Sequence, residues 1–273
     1  MQESDVLFKI NPFHLELIRP LVKWKILSIK ELFQDSGYAG SYKNYQKTIS
    51  RLEKAGVLKG NKDVWTKSKR MYLTRSGNEL VNNSRWMSHV INDGSFFHDS
   101  RVTLYLRYLA QNLNMQSIEL EQERMKIKNF QDMQRIRPDA EFTLLNSSNK
   151  PQRFLLEVEL TQKSKDRLIE KFEHYHRIPD YQHVLYVFPT QSLFNSYLQL
   201  FKYLNSKHER SNYIFALEPG LVKGSFSLDS SKAFYKGMEL SLQNVFKEIQ
   251  GGSSGDFKES VKGLWRQSFE SWI

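Results

Sequence analysis

The chain has 273 residues, 40% hydrophobic and 26% charged, enough for one large or two ordinary domains with buried cores, and no apolar run approaches the roughly 18 residues of a membrane span. Cysteine is absent, which excludes a disulfide framework, a thiolate zinc site and a cysteine nucleophile; the acidic start MQESDVLFKI lacks the regions of a secretory signal, so a cytoplasmic protein is expected. The formal charge of +10 is uneven, because residues 1–90 hold 16 Lys and Arg against 8 Asp and Glu whereas residues 91–273 hold 24 against 22. This asymmetry points to a polyanion bound by the first third, with nucleic acid ahead of an anionic membrane surface.

Asn11 as cap and Pro12 at the first helical position open a helix over 12–24, where Phe13, Leu17, Ile18 and Leu21 recur at helical spacing and Pro20 bends or breaks the run. Ser28 caps a short helix over 29–34 that stops at Asp35-Ser36-Gly37. Ser41 caps a third, with Tyr45, Ile49 and Leu52 on its core side and Tyr42, Lys43, Asn44, Gln46, Lys47 and Arg51 on the other faces. Gly56 ends that helix, Val57-Leu58 begins a strand, residues 59–70 form a basic stretch, and 71–74 return as a second strand before a helix at 74–80.

Three helices followed by two strands around a basic loop, phrased RLEKAGVL…YLTRSGNEL, resemble the winged helix-turn-helix of bacterial regulators over residues 10–85. The resemblance implies double-stranded DNA as partner. The third helix would enter the major groove with Ser41, Tyr42, Lys43, Asn44 and Gln46 near its start, Lys47 and Arg51 further along, while Lys62, Lys67, Lys69 and Arg70 neutralise phosphates. An inverted-repeat target would call for a homodimer.

Asn92-Asp93-Gly94-Ser95 marks a boundary, so the expected domains are 1–92, 93–250 and a tail at 251–273 with a flexible link and an amphipathic helix over 257–272. The second domain reads as a helix over 100–113, a strand over 117–123, a hairpin of 137–145 and 153–160, a helix over 164–177, a strand over 184–188, a helix over 192–204 and a strand over 213–217. That α/β order, αβββαβ, gives a mixed sheet flanked by helices. Period-two geometry places Glu157 and Glu159 on one face of an otherwise apolar strand, and Asp139 on the preceding strand converges with them. Three carboxylates on a sheet call for a compensating cation, so Mg²⁺ or Mn²⁺ is expected. His98 falls at a helix start beside Asp99, as a cap or as a ligand or base. His174, His176 and His183 match no metal spacing, and there is no glycine-rich phosphate loop.

Pro138-Asp139 followed by Glu157-Val158-Glu159 resembles the PD-(D/E)xK nuclease signature in its αβββαβ, restriction-endonuclease-like core. It implies Asp139 and Glu157 as metal ligands, with Glu159 standing where most members carry lysine and Lys163 or Lys165 supplying the positive charge. Adding Phe97-His98-Asp99, Arg137-Pro138-Asp139-Ala140 and Phe154 to Glu159, the layout is similar to the plasmid replication-relaxation family of MobC-type relaxases. This implies a metal-dependent DNA endonuclease or nickase of plasmid or mobile-element mobilisation or replication, with His98, Asp139, Glu157, Glu159 and Lys163 catalytic. The alternative on the same two domains is an inactive DNA-binding regulator of replication or transcription.

Overall fold

In the computed structural model, which describes residues 9–82, 91, 93–121, 137–178, 181–205 and 212–251, two prolines start the first two helices. Helix α1 (Pro12–Ile18) is capped by Asn11, whose side chain accepts from the His14 amide, and α2 (Pro20–Trp24) restarts at Pro20 because proline supplies no amide to continue α1. Lys25 then adopts φ 63° and ψ −53° while the Ile26 amide donates to the Trp24 carbonyl at 2.6 Å, a strained three-residue turn. Strand β1 (Leu27–Ser28) follows, and Ser28 and Glu31 form a reciprocal capping box for α3 (Ile29–Asp35).

Helix α4 (Tyr42–Lys54) buries Tyr45, Ile49 and Leu52 as its apolar spacing predicts, and the Tyr45 hydroxyl donates to the Leu17 carbonyl at 2.9 Å. Strands β2 (Leu58–Lys62) and β3 (Lys69–Leu73) pair antiparallel with Gly60 opposite Met71, and β1 adds to the free side of β3 to give the order β1-β3-β2. This sheet and helices α1 to α4 share one core, from Leu17, Ile18 and Leu21 through Leu32, Ile49 and Leu52 to Met71 and Leu73. Helix α5 (Arg75–Asn82) comes next, and α6 (Asp93–Asn112) starts inside the expected loop at 92–95. The reason is apolar: Phe96 is buried with Ile26, Tyr72 and Ile91, so its turn is helical and His98 lies in the second turn rather than at the start.

The remaining elements build a seven-stranded mixed sheet. They are β4 (Met115–Leu120), β5 (Ala140–Leu145), β6 (Pro151–Val158), α7 (Lys165–His176), β7 (His183–Phe188), α8 (Gln191–Asn205), β8 (Tyr213–Leu217), β9 (Lys232–Tyr235), β10 (Met238–Ser241) and α9 (Leu242–Ile249). The strand order is β10-β9-β8-β7-β6-β5-β4, with β6, β7 and β8 parallel and β8, β9 and β10 antiparallel. Every residue of β7 and β8 is buried, the mark of parallel strands covered on both faces. The hairpin β9–β10 has no counterpart in the expected elements. Its two-residue turn, Lys236-Gly237, takes positive φ at both positions, the geometry that tight hairpins require.

The chain forms two compact units, and the first is discontinuous: it takes residues up to Gln111, Glu119–Ala140 and Leu221–Ser225, leaving Asn112–Ile118, Glu141–Gly220 and the residues from Phe226 onward to the second. Helix α6, expected in the second domain, thus belongs with the first unit almost to its end. The tail helix expected over 257–272 and the strand end at Glu123 lie outside the described residues.

One close approach fixes α5. Thr74 caps its first turn, accepting from the Gly77 amide at 3.0 Å while its own amide donates to the Val57 carbonyl at 3.0 Å, and a Cβ on Gly77 would meet that carbonyl oxygen at 2.0 Å. Gly77→Ala is therefore expected to destabilise the full chain by about 1–3 kcal/mol, read as a lower urea midpoint. An unchanged midpoint would mean that α5 does not sit against Val57.

Candidate functional site

Three groups of side chains carry the chemistry, two in the first unit and one in the second. The first is the outer side of α4. Because Tyr45, Ile49 and Leu52 face inward, Tyr42, Lys43, Asn44, Gln46, Lys47 and Arg51 are all exposed, next to Ser41, which caps the helix by accepting from the Asn44 amide. Tyr42 keeps its ring edge-on to Phe33 at 5.3 Å, so the start of the face is fixed by packing. On the β2–β3 hairpin Lys62 and Lys67 are exposed, and Lys69 is half-exposed while its amine holds Glu53 at 2.5 Å. Arg70 corrects the expectation. It is 3% exposed and paired with Glu31 at 3.2 Å and Asp63 at 3.5 Å, because its place on β3 turns it to the face opposite Met71, where Asp63 is also buried, so it is not offered to a ligand.

The second group joins two expected site residues with two that sequence reasoning passed over. His98 Nε2 lies 3.4 Å from an Asp139 carboxylate oxygen, His98 Nδ1 lies 3.7 Å from Asp99, and Asp99 lies 2.7 Å from the amine of Lys25, the residue of the strained turn. Asp139 follows the buried Pro138, just before β5, and its carbonyl accepts from the Glu121 amide at 3.1 Å. Burial opposes charge on His98, but the carboxylates of Asp139 and Asp99 outweigh it and push its pKa up to about 11. Burial likewise opposes charge on Asp99, and His98 and Lys25 more than offset it, holding its carboxyl below the usual range. The cavity at this cluster, lined by Lys25, Asp99, Thr103 and Asp139 among others, is only about 10 Å³, room for no more than one water. The signal available in sequence was the adjacent His98-Asp99 pair, whereas Lys25 gave none.

The third group lies at the carboxyl end of β6. Glu157 and Glu159 are 1% and 2% exposed, and both reach one amine, Lys171 Nζ, at 2.6 Å and 3.1 Å. Ser164 caps α7 and sets its register, so that Lys171 and Tyr175, four apart, rise along the side facing the strand end. The Tyr175 hydroxyl donates to the second oxygen of Glu157. The Glu159 amide donates to the Val187 carbonyl at 3.0 Å, fixing the strand end on β7. Lys163 stands 3.8 Å from Glu159, whereas the amine of Lys165 lies over the Tyr203 ring at 5.8 Å. Burial first, and then the two glutamates, push the hydroxyls of Tyr186 and Tyr197 above their ordinary range, so both stay protonated. Sequence spacing foresaw the shared face of the two acids; Lys171, the principal positive charge, was hidden in a helix whose core side is Leu168, Phe172 and Tyr175.

These placements bear on a divalent ion. Both oxygens of Glu157 are engaged by Lys171 and Tyr175, Glu159 is engaged by Lys171 and Lys163, and Asp139 is engaged by His98. Among the described residues no three His, Asp or Glu are grouped so as to hold a metal ion. As placed, the acids are engaged by the side chains beside them, and Mg²⁺ or Mn²⁺ at either group would have to displace those contacts. His183 is a core residue, stacked on Phe154 at 4.7 Å, and burial, then the charge of Lys236, push its pKa down to about 4. Among the described residues no helix is long and apolar enough to cross a membrane.

The raised pKa of His98 sets a pH signature. The stability it contributes is full below its unfolded value of about 6.5 and is lost as pH rises through about 11. The gap in urea midpoint between the native chain and His98→Gln should be constant below about pH 6.5 and shrink toward pH 11, and the His98 imidazole resonances should not titrate between pH 5 and 9; an ordinary titration near 6.5 would refute the pairing with Asp139. No family model matches the chain, and no curated protein or solved structure matches it.

Proposed function

We propose that the chain is a double-stranded DNA-binding protein of plasmid or mobile-element mobilisation or replication, with a winged helix in its first unit and a restriction-endonuclease-like domain in its second. One observation carries the DNA-binding part: the exposed face of α4, where amide and hydroxyl groups at the start are followed by Lys47 and Arg51 along a helix anchored by its buried side. Asn44 and Gln46 are the side chains suited to base edges, and Lys43, Lys47, Arg51, Lys62 and Lys67 are suited to phosphates. The assignment to mobile elements rests on the resemblance of the motifs around His98, Asp139 and Glu157.

In the second unit Glu157 and Glu159 are neutralised by lysines from the same chain. This favours a regulator or accessory factor in which the cluster holds β6 to α7. A second reading, a metal-dependent endonuclease or nickase, is favoured by the composition of the same cluster, since two acids and a lysine at a strand end are the groups a phosphodiester-cleaving site employs. It requires Lys171 to yield its carboxylates.

Two experiments test these readings. Lys43→Ala with Lys47→Ala should weaken binding to any duplex and reduce the salt slope by about 0.9 per phosphate contact removed, as measured by fluorescence anisotropy between 50 and 200 mM salt. An unchanged slope would remove α4 from the interface. Incubation of the chain with supercoiled plasmid and Mg²⁺ or Mn²⁺ should give a gel shift without cleavage; nicked product that disappears with both Asp139→Asn and Glu157→Gln would establish the nickase instead.

A further inference from the structure

The tip of the β2–β3 hairpin carries two adjacent apolar side chains held out into solvent. Val64 is 64% exposed and Trp65 is 53% exposed. Single exposed apolar residues are ordinary on protein surfaces, but an aromatic and an aliphatic side by side on a fixed tip expose area that folding would otherwise bury. The tip is fixed by Asp63. One of its oxygens accepts from the amides of Trp65 at 2.9 Å and Thr66 at 3.1 Å, and the other meets the guanidinium of Arg101, with Arg70 at 3.5 Å. The backbone closes the loop twice, Asp63 amide to Ser68 carbonyl and Lys67 amide to Asp63 carbonyl, each at 2.9 Å, and Lys67 takes φ 59° in the turn. The Thr66 and Ser68 hydroxyls are 2.8 Å apart. Exposed Lys62 and Lys67 flank the pair, with the half-exposed Lys69 beyond.

We propose that Trp65, with Val64 beside it, is a wedge that enters a base step of duplex DNA while the flanking lysines seat the hairpin on the phosphates. The proposal rests on the DNA-binding reading and adds a mode of contact that α4 does not supply. A ring presented on a rigid loop between cations has the charge pattern of a polyanion site and the apolar surface of an unstacked base step, whose opening bends the duplex. The rigidity matters because a tip already ordered loses little conformational freedom on insertion.

The test uses the full chain with a mixed-sequence duplex of about 125 bp, shorter than the persistence length of about 150 bp, so that ligase circularisation reports bending. The native chain should raise circularisation. Trp65→Ala should abolish that rise and weaken binding about tenfold with an unchanged salt slope, Trp65→Phe should retain most of both, and Lys67→Ala should lower the slope. Because Trp65 is exposed, the fold of these variants is not at stake, and Val64→Ser should reduce circularisation in part. Native-like binding and circularisation by Trp65→Ala, with Lys43→Ala/Lys47→Ala impaired, would overturn the wedge and leave the DNA reading standing. Absence of any DNA binding by the native chain at low salt would overturn both. Binding to phosphatidylserine vesicles that Trp65→Ala loses, with DNA binding intact, would overturn the wedge in favour of a membrane contact.

Discussion

The first unit depends on a carboxylate with no exposure at all. Asp63 sits beneath the β2–β3 hairpin with the guanidinium of Arg101 on one oxygen and that of Arg70 nearby, and Arg70 continues to Glu31, which also faces Arg107 at 3.8 Å. Arg107 in turn holds Asp35 at the end of α3. Desolvating such a chain of charges is costly, and the cost is offset only while each partner is present. Burial alone would raise the Asp63 pKa; the amides of Trp65 and Thr66 and the Arg101 charge more than reverse it, so the carboxylate stays ionised and the network stays intact. Through it the hairpin, α3 and α6 hold a single mutual arrangement, which sets where the α4 face stands relative to the hairpin lysines.

Much of this was legible in the sequence. Periodicity named Tyr45, Ile49 and Leu52 as the inner side of α4, and caps at Asn11, Ser28 and Ser41 fixed helix starts because a side-chain oxygen there satisfies an amide that the helix cannot. The parallel strands β7 and β8 read correctly because strands covered on both faces are apolar without alternation. Local composition misled at 93–95, where a loop-like run is drawn into α6 by the burial of Phe96. The hairpin β9–β10 passed unnoticed because Lys236-Gly237 is a weaker turn signal than asparagine or aspartate before glycine.

The candidate sites were legible to a different depth. A period of two put Glu157 and Glu159 on one face, but nothing local tells which cation will meet them, since that depends on how α7 lies against the strand end. The sequence offered Lys163 and Lys165 by proximity; the closer amine is Lys171, twelve residues beyond Glu159. The same limit applies to Arg70, which composition counts among the surface cations although its strand turns it inward. Charge is countable from a sequence, whereas the direction in which a charged side chain points is a tertiary property.

The discontinuity of the first unit bears on how the protein is made. On a ribosome the helices and hairpin that present the α4 face emerge first, yet Asp139, the partner of His98, arrives only about halfway through synthesis, and Gly224, beside Thr66 and Arg101, later still. Until Asp139 is made, His98 lacks its strongest source of negative charge. The unit that stands first in the chain is thus complete only once Leu221–Ser225 has been made, and a fragment cut at a conventional boundary near residue 92 would lack α6 and, with it, the Arg101 that neutralises Asp63.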